Sequence, residues 1–127
     1  MSETGMRALV VDDSRALRML IKNILKEMGF EIFEAGHGKE ALERLAAVET
    51  VTLALVDWNM PEMNGLDFVK ALRSDAKHDE TKVVMVTTET EMPKMVAALE
   101  AGANEYLMKP FTKESLREKL SMVGIGE

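Results

Sequence analysis

Asp12 and Asp13 stand side by side at the end of the apolar run Ala8–Val11, and Asp57 closes a second apolar run that starts at Leu53. Acids placed together like this repel, each raising the cost of ionising the other. Thr87 ends a third such run, KVVMVT, and a fourth, EYLM, leads into Lys109 and Pro110. Three carboxylates within a few ångströms require a cation. An all-oxygen set suits Mg2+, which keeps several waters and takes only one or two carboxylates directly. The paired acids would hold the metal, and a third carboxylate beside it can attack a phosphoryl group. Phosphoryl transfer then needs little beyond positioning and charge neutralisation. Mg2+ would cover one non-bridging oxygen, Lys109 a second and the Thr87 hydroxyl a third.

Taken singly, each residue has an ordinary reading. Asp13 can support a helix start beside Ser14, and Asp57 can be a turn residue ahead of the sequence NMP. Thr87 is unremarkable at a strand end, and a lysine before proline is commonly a solvated loop residue. Their joint placement at equivalent ends of four apolar segments is what favours a site.

The elements that must position them alternate along the chain. Strands are expected from Arg7 to Asp12 and over residues 30–35, 53–57, 82–87 and 105–108, the second nearer the sheet edge. Between them, helical spacing follows Ser14 as N-cap and ends at Gly29, then recurs from Lys39 to Val48 and from Leu66 to Ser74. A fourth helix is expected from Met92 to Ala101, closed by Gly102, with Pro93 tolerated only in its first turn. A fifth runs from its Thr112 cap to Met122. The loop NMPEMNG separates Asp57 from the third helix. Such alternation predicts an α/β fold, a parallel sheet with helices on both faces and right-handed crossovers. Function in such sheets gathers at the carboxyl ends of the strands.

Composition narrows the classes. The chain has 127 residues, suiting one domain, and its formal charge is −6 without a basic stripe, which disfavours nucleic-acid binding. There is no cysteine, and the 2 histidines, His37 and His78, lie far apart, so thiolate chemistry is excluded and a histidine-rich metal site disfavoured. The start MSETGMR lacks the pattern of a signal peptide, and no apolar run reaches membrane-span length, so a cytoplasmic protein is expected.

The segments VVDDS, LVDWNMPEMNGLDFV, VVMVTTE and GANEYLMKPF together resemble the signature segments of the response-regulator receiver domain of two-component signalling, from about Met6 to Met122. The resemblance implies a doubly wound, flavodoxin-like sheet of order 2-1-3-4-5. It implies that Asp57 accepts a phosphoryl group from a sensor histidine kinase, with Asp12, Asp13, Asp57 and the Asn59 backbone carbonyl on Mg2+. Thr87 and Lys109 would contact the phosphoryl group, and the Lys109–Pro110 bond would be cis. Thr87 and Tyr106 would form the switch, and Asn59 and Glu89 would tune the lifetime of the acyl phosphate. Such a protein is a self-phosphorylating, slowly self-hydrolysing switch more than a turnover enzyme. The changing surface would include Met92, Met95, Leu99, Tyr106 and Lys119.

Trp58, Asn59, Glu89, Tyr106 and LREKL resemble stand-alone chemotaxis receivers, so a single domain over residues 1–127 without an output domain is expected. Implied partners are the kinase, a phosphorylation-dependent target such as a flagellar motor switch, and a phosphatase; a monomer is expected, with no nucleic acid and no membrane. One departure stands out: TETEMPK carries Glu91, Met92 and Pro93 where chemotaxis relatives often have a more basic stretch. A phosphorelay intermediate or phosphate sink fits the same motifs. A Mg2+-dependent aspartyl phosphatase would want an acid two residues after Asp57, where Asn59 stands. A flavin carrier would want a Ser/Thr/Gly-rich loop where DDSRALR stands.

Overall fold

The computed structural model describes residues 6–48, 50–60 and 63–125, apart from the Glu89 side chain. Pro61 and Glu62 of the expected loop after Asp57 lie outside the described residues. Strands β1 (Arg7–Val11), β2 (Glu31–Ala35), β3 (Leu53–Asp57), β4 (Lys82–Thr87) and β5 (Glu105–Met108) alternate with helices. The helices are α1 (Arg15–Glu27), α2 (Gly38–Ala47), α3 (Gly65–Arg73), α4 (Met95–Ala101) and α5 (Lys113–Met122). All strand pairs are parallel and the order is β2-β1-β3-β4-β5, which puts β2 at an edge and β3 at the centre.

Strand side chains alternate between faces, so each strand feeds two cores. Leu9, Val11, Ala54, Val56, Val83 and Met85 pack with Phe68, Val69 and Leu72 of α3 and with the inner faces of α2 and α4. Their neighbours Ala8, Val10, Leu53, Leu55, Val84 and Val86 pack on the other side with Ile21 and Leu25 of α1 and Leu116 and Leu120 of α5. Continuous burial along β3 is the reason its sequence does not alternate in polarity. No helix among the described residues is long and apolar enough to cross a membrane.

Helix ends follow the sequence signals. The Ser14 hydroxyl accepts from the Leu17 amide at 3.2 Å, and Gly29 ends α1 at φ 93°, a conformation other residues adopt only with strain. The fourth helix departs from expectation. A 3₁₀ turn, Glu89–Lys94, comes first, and the α-helix begins only at Met95. The chain starts to coil after Thr88, which leaves Pro93 beyond the first turn, where an α-helix would need its missing N–H.

One close approach bears directly on Asp57. The Gly65 amide donates to the Trp58 carbonyl at 2.9 Å, tying the start of α3 to the end of β3. A Cβ at Gly65 would lie 3.1 Å from Trp58 Cα and 3.2 Å from the Asp57 carbonyl oxygen, both backbone atoms that cannot swing away. Gly65→Ala should therefore cost about 1–3 kcal/mol, as overpacking does. Urea unfolding of the two proteins measures it, and an unchanged midpoint would show that α3 can back away from β3.

Candidate functional site

Strand register assembles the site. Val11 pairs with Val56, so the next residues, Asp12 and Asp57, come level at the ends of β1 and β3. Thr87 pairs with Met108, placing Lys109 one residue further along β5, and the Lys109 amide donates to the Thr87 carbonyl at 2.6 Å. Asp12, Asp57 and Thr87 are buried, Lys109 is partly buried and Asp13 is exposed.

Asp57 Oδ1 accepts from Lys109 Nζ at 3.0 Å. Asp12 Oδ1 accepts from the Ser14 amide at 2.8 Å, and Arg18 donates to the Asp12 backbone carbonyl at 2.5 Å. The other Asp12 oxygen, Oδ2, is buried and has no hydrogen-bond partner, with Lys109 Nζ 3.7 Å away. Ligand atoms of Asp12, Asp13 and Asp57 all lie within 4.8 Å of one another. A buried carboxylate oxygen left unpaired is costly. Here it points to a cation, and the all-oxygen donor set fits Mg2+.

The electrostatics agree. Burial, then the charges of Asp12 and Asp13, push the Asp57 carboxyl up to about 6 despite the Lys109 hydrogen bond. Burial raises Asp12 as well, against the pull of the Ser14 amide and Lys109. Burial works against the Lys109 ammonium, but its hydrogen bond to Asp57 and the charges of Asp57, Asp12 and Glu91 outweigh this and hold it above its ordinary range. One ammonium thus faces three carboxylates, a cluster short of positive charge.

The sequence matches the family model of the response regulator receiver domain over residues 8–121. This chain belongs to the receiver domain family. The receiver is 50% identical over 119 residues to chemotaxis protein CheY1 of Helicobacter pylori, covering 93% of this chain and 96% of that one. It is 47% identical over 126 residues to a CheY homolog of Campylobacter jejuni, covering 96% of this chain and 97% of that one. Among solved structures, the chemotaxis response regulator CheY4 of Vibrio cholerae matches with a TM-score of 0.86 at 36% identity, covering 93% of this chain and 98% of that one.

The Lys109–Pro110 bond is cis. Asn59 is exposed, and its side-chain amide donates to Glu91. Tyr106 is half-buried, with the Lys119 ammonium 4.6 Å above its ring centre and Lys119 also 3.5 Å from Glu105. Glu89 opens the 3₁₀ turn, and its side chain lies outside the description. Met92 is half-buried and Leu99 is 40% exposed. Met95 must be removed from the expected output surface: it is 2% exposed and packs in the core between sheet and helices. The outward apolar positions of α4 are Val96, 62% exposed, and Leu99, joined by Met108 of β5.

Glu91, which the sequence marks only as a departure from a more basic stretch, belongs to the site. It is buried, its Oε1 accepts from the Thr87 hydroxyl at 3.3 Å and from the Thr88 amide at 3.1 Å, and Asn59 donates to its Oε2. Thr88 and Glu91 have the spacing of a capping box, the signal that would have found it.

The Asp57 shift carries a stability prediction. Its carboxyl ionises near 3.8 when free and is pushed up to about 6 when folded, so the folded state binds this proton more tightly. That contribution is fully present below the free value and is lost as pH rises through the folded one, a loss on the order of 3 kcal/mol by neutral pH without metal. Asp57→Asn, which cannot ionise, should raise the urea midpoint of the metal-free protein at pH 7.5. The gain should shrink to nothing near pH 4; a gain independent of pH would contradict the shifted carboxyl.

Proposed function

We propose that this receiver is a phosphoacceptor switch in which Asp57 is the nucleophile. The observation that carries the reading is the Asp57 carboxylate, buried, gripped through one oxygen by Lys109 at 3.0 Å and set beside the unpartnered Asp12 oxygen. In the transfer, an Asp57 oxygen attacks the phosphorus of a kinase phosphohistidine in line. The O–P bond forms as the P–N bond breaks, and the imidazole leaves with its electron pair.

Asp12, Asp13, Asp57 and the Asn59 carbonyl would hold Mg2+, which supplies charge neutralisation to the transferring group when bound. Lys109 neutralises a second phosphoryl oxygen and stays anchored through its backbone to Thr87. The Thr87 hydroxyl serves a third, and its movement is read by Tyr106. Two packings of the surface carrying Val96, Leu99, Met108, Tyr106 and Lys119 would then differ in their affinity for a target, the condition for any ligand-driven switch. Asn59 and Glu89 would tune the lifetime of the acyl phosphate.

The names of the relatives quoted above support a role in chemotaxis, with a sensor histidine kinase as donor and a motility component, such as the flagellar switch, as target.

Intact mass after incubation with Mg2+ and acetyl phosphate tests the chemistry. One added phosphoryl group is expected, stable in acid and labile in base, absent with chelator and absent in Asp57→Asn. A folded wild-type protein that gains no mass would overturn the reading. Trp58, buried directly after Asp57, should change fluorescence as Mg2+ arrives; Asp12→Ala should weaken that response about tenfold or more, as loss of a direct ligand does. Lys109→Arg should still be phosphorylated but switch poorly, because a planar guanidinium does not reproduce a compact ammonium.

A further inference from the structure

Glu91 is 5% exposed, and its carboxylate is held by three donors from two chain segments: Asn59 after β3, and Thr87 and Thr88 at the end of β4. A buried carboxylate is tolerated when its lone pairs are satisfied like this. The arrangement has a cost for the switch. A threonine hydroxyl carries one proton, and in this structure that proton has two acceptors, Glu91 Oε1 and the Thr88 carbonyl, each at 3.3 Å. If Thr87 is to serve a phosphoryl oxygen on Asp57, it must leave Glu91. The Glu91 contact is long at 3.3 Å, so what Thr87 gains at the phosphoryl group is reduced, not cancelled, by what it gives up at Glu91. The Asn59 amide, two residues past Asp57, is committed to the same carboxylate.

We propose that Glu91 is a positioning residue for the phosphoryl chemistry: by holding the Thr87 hydroxyl in the resting arrangement, it sets how readily the phosphorylated form accumulates. This rests on the reading of Asp57 as phosphoacceptor. Glu91 is not among the clustered ligand atoms, and its charge reaches that cluster only through Lys109.

The test compares wild type, Glu91→Gln and Glu91→Ala, each also with Thr87→Ala, using Mg2+ and acetyl phosphate. The donor concentration for half-phosphorylation is read by Trp58 fluorescence and intact mass. Glu91→Gln keeps the shape and an acceptor for the Thr88 amide, so it guards against a variant that fails to fold. Trading a charged acceptor for a neutral one should lower the half-saturating donor concentration by about threefold to tenfold. In the Thr87→Ala background the same change should have no effect, since the bond it releases is gone. If Glu91 merely capped the turn, its variants would lose stability without moving the donor dependence. If it acted by charge alone, the shift would survive Thr87→Ala. Either result would overturn the proposal. Wild type that takes no phosphoryl group would overturn both this role and the function on which it rests, whereas labelled wild type with unmoved Glu91 variants would overturn the Glu91 role alone.

Discussion

The contact between Lys109 and Asp57 is the interaction on which the site depends. Without that ammonium at 3.0 Å, two buried acids and their exposed neighbour would meet at the ends of β1 and β3 with only Arg18 and the Ser14 amide, both on the Asp12 side, to balance them. The cations do not offset burial and mutual repulsion of the acids, and both Asp57 and Asp12 are raised, chiefly by burial. A protein seeking stability alone would have replaced one of these acids. Keeping them exchanges stability for a charged cluster at the strand ends, where the proposed metal and phosphoryl group would find their complement already arranged.

The parallel sheet makes that arrangement inexpensive to hold. Every strand in such a sheet ends on the same rim, so residues far apart in sequence arrive together through register alone. Two further contacts sharpen it. The Lys109 amide locks onto the Thr87 carbonyl, fixing the lysine relative to the threonine, and Gly65 lets α3 close against the Trp58 backbone just past Asp57. Beneath the rim, strands packed on both faces leave little room for it to shift.

Between rim and surface lies a short path of polar contacts. Thr87 ends β4, Glu91 receives its hydroxyl, and the 3₁₀ turn carrying Glu91 runs straight into α4 with its outward Val96 and Leu99. On the other side, β5 carries Tyr106 under Lys119 of α5. A change in what Thr87 bonds to is therefore mechanically adjacent to the face that α4, β5 and α5 form.

The sequence by itself determined the element order, the parallel class and the polar residues at the strand ends, because apolar runs, cap residues and glycine stops are local signals. Leu53–Asp57 and Lys82–Thr87 were legible to the residue for that reason. Tertiary structure decided the rest. Met95 and Leu99, four residues apart, share one helix face by spacing, yet packing buries Met95 and leaves Leu99 40% exposed, which only the fold could show. Glu91 reads as a surface acid until β4 brings Thr87 beneath it and the loop after β3 brings Asn59 across. The unpartnered Asp12 oxygen also exists only after folding, since a hydrogen-bond account closes, or fails to close, among residues that the chain keeps far apart and the sheet brings together.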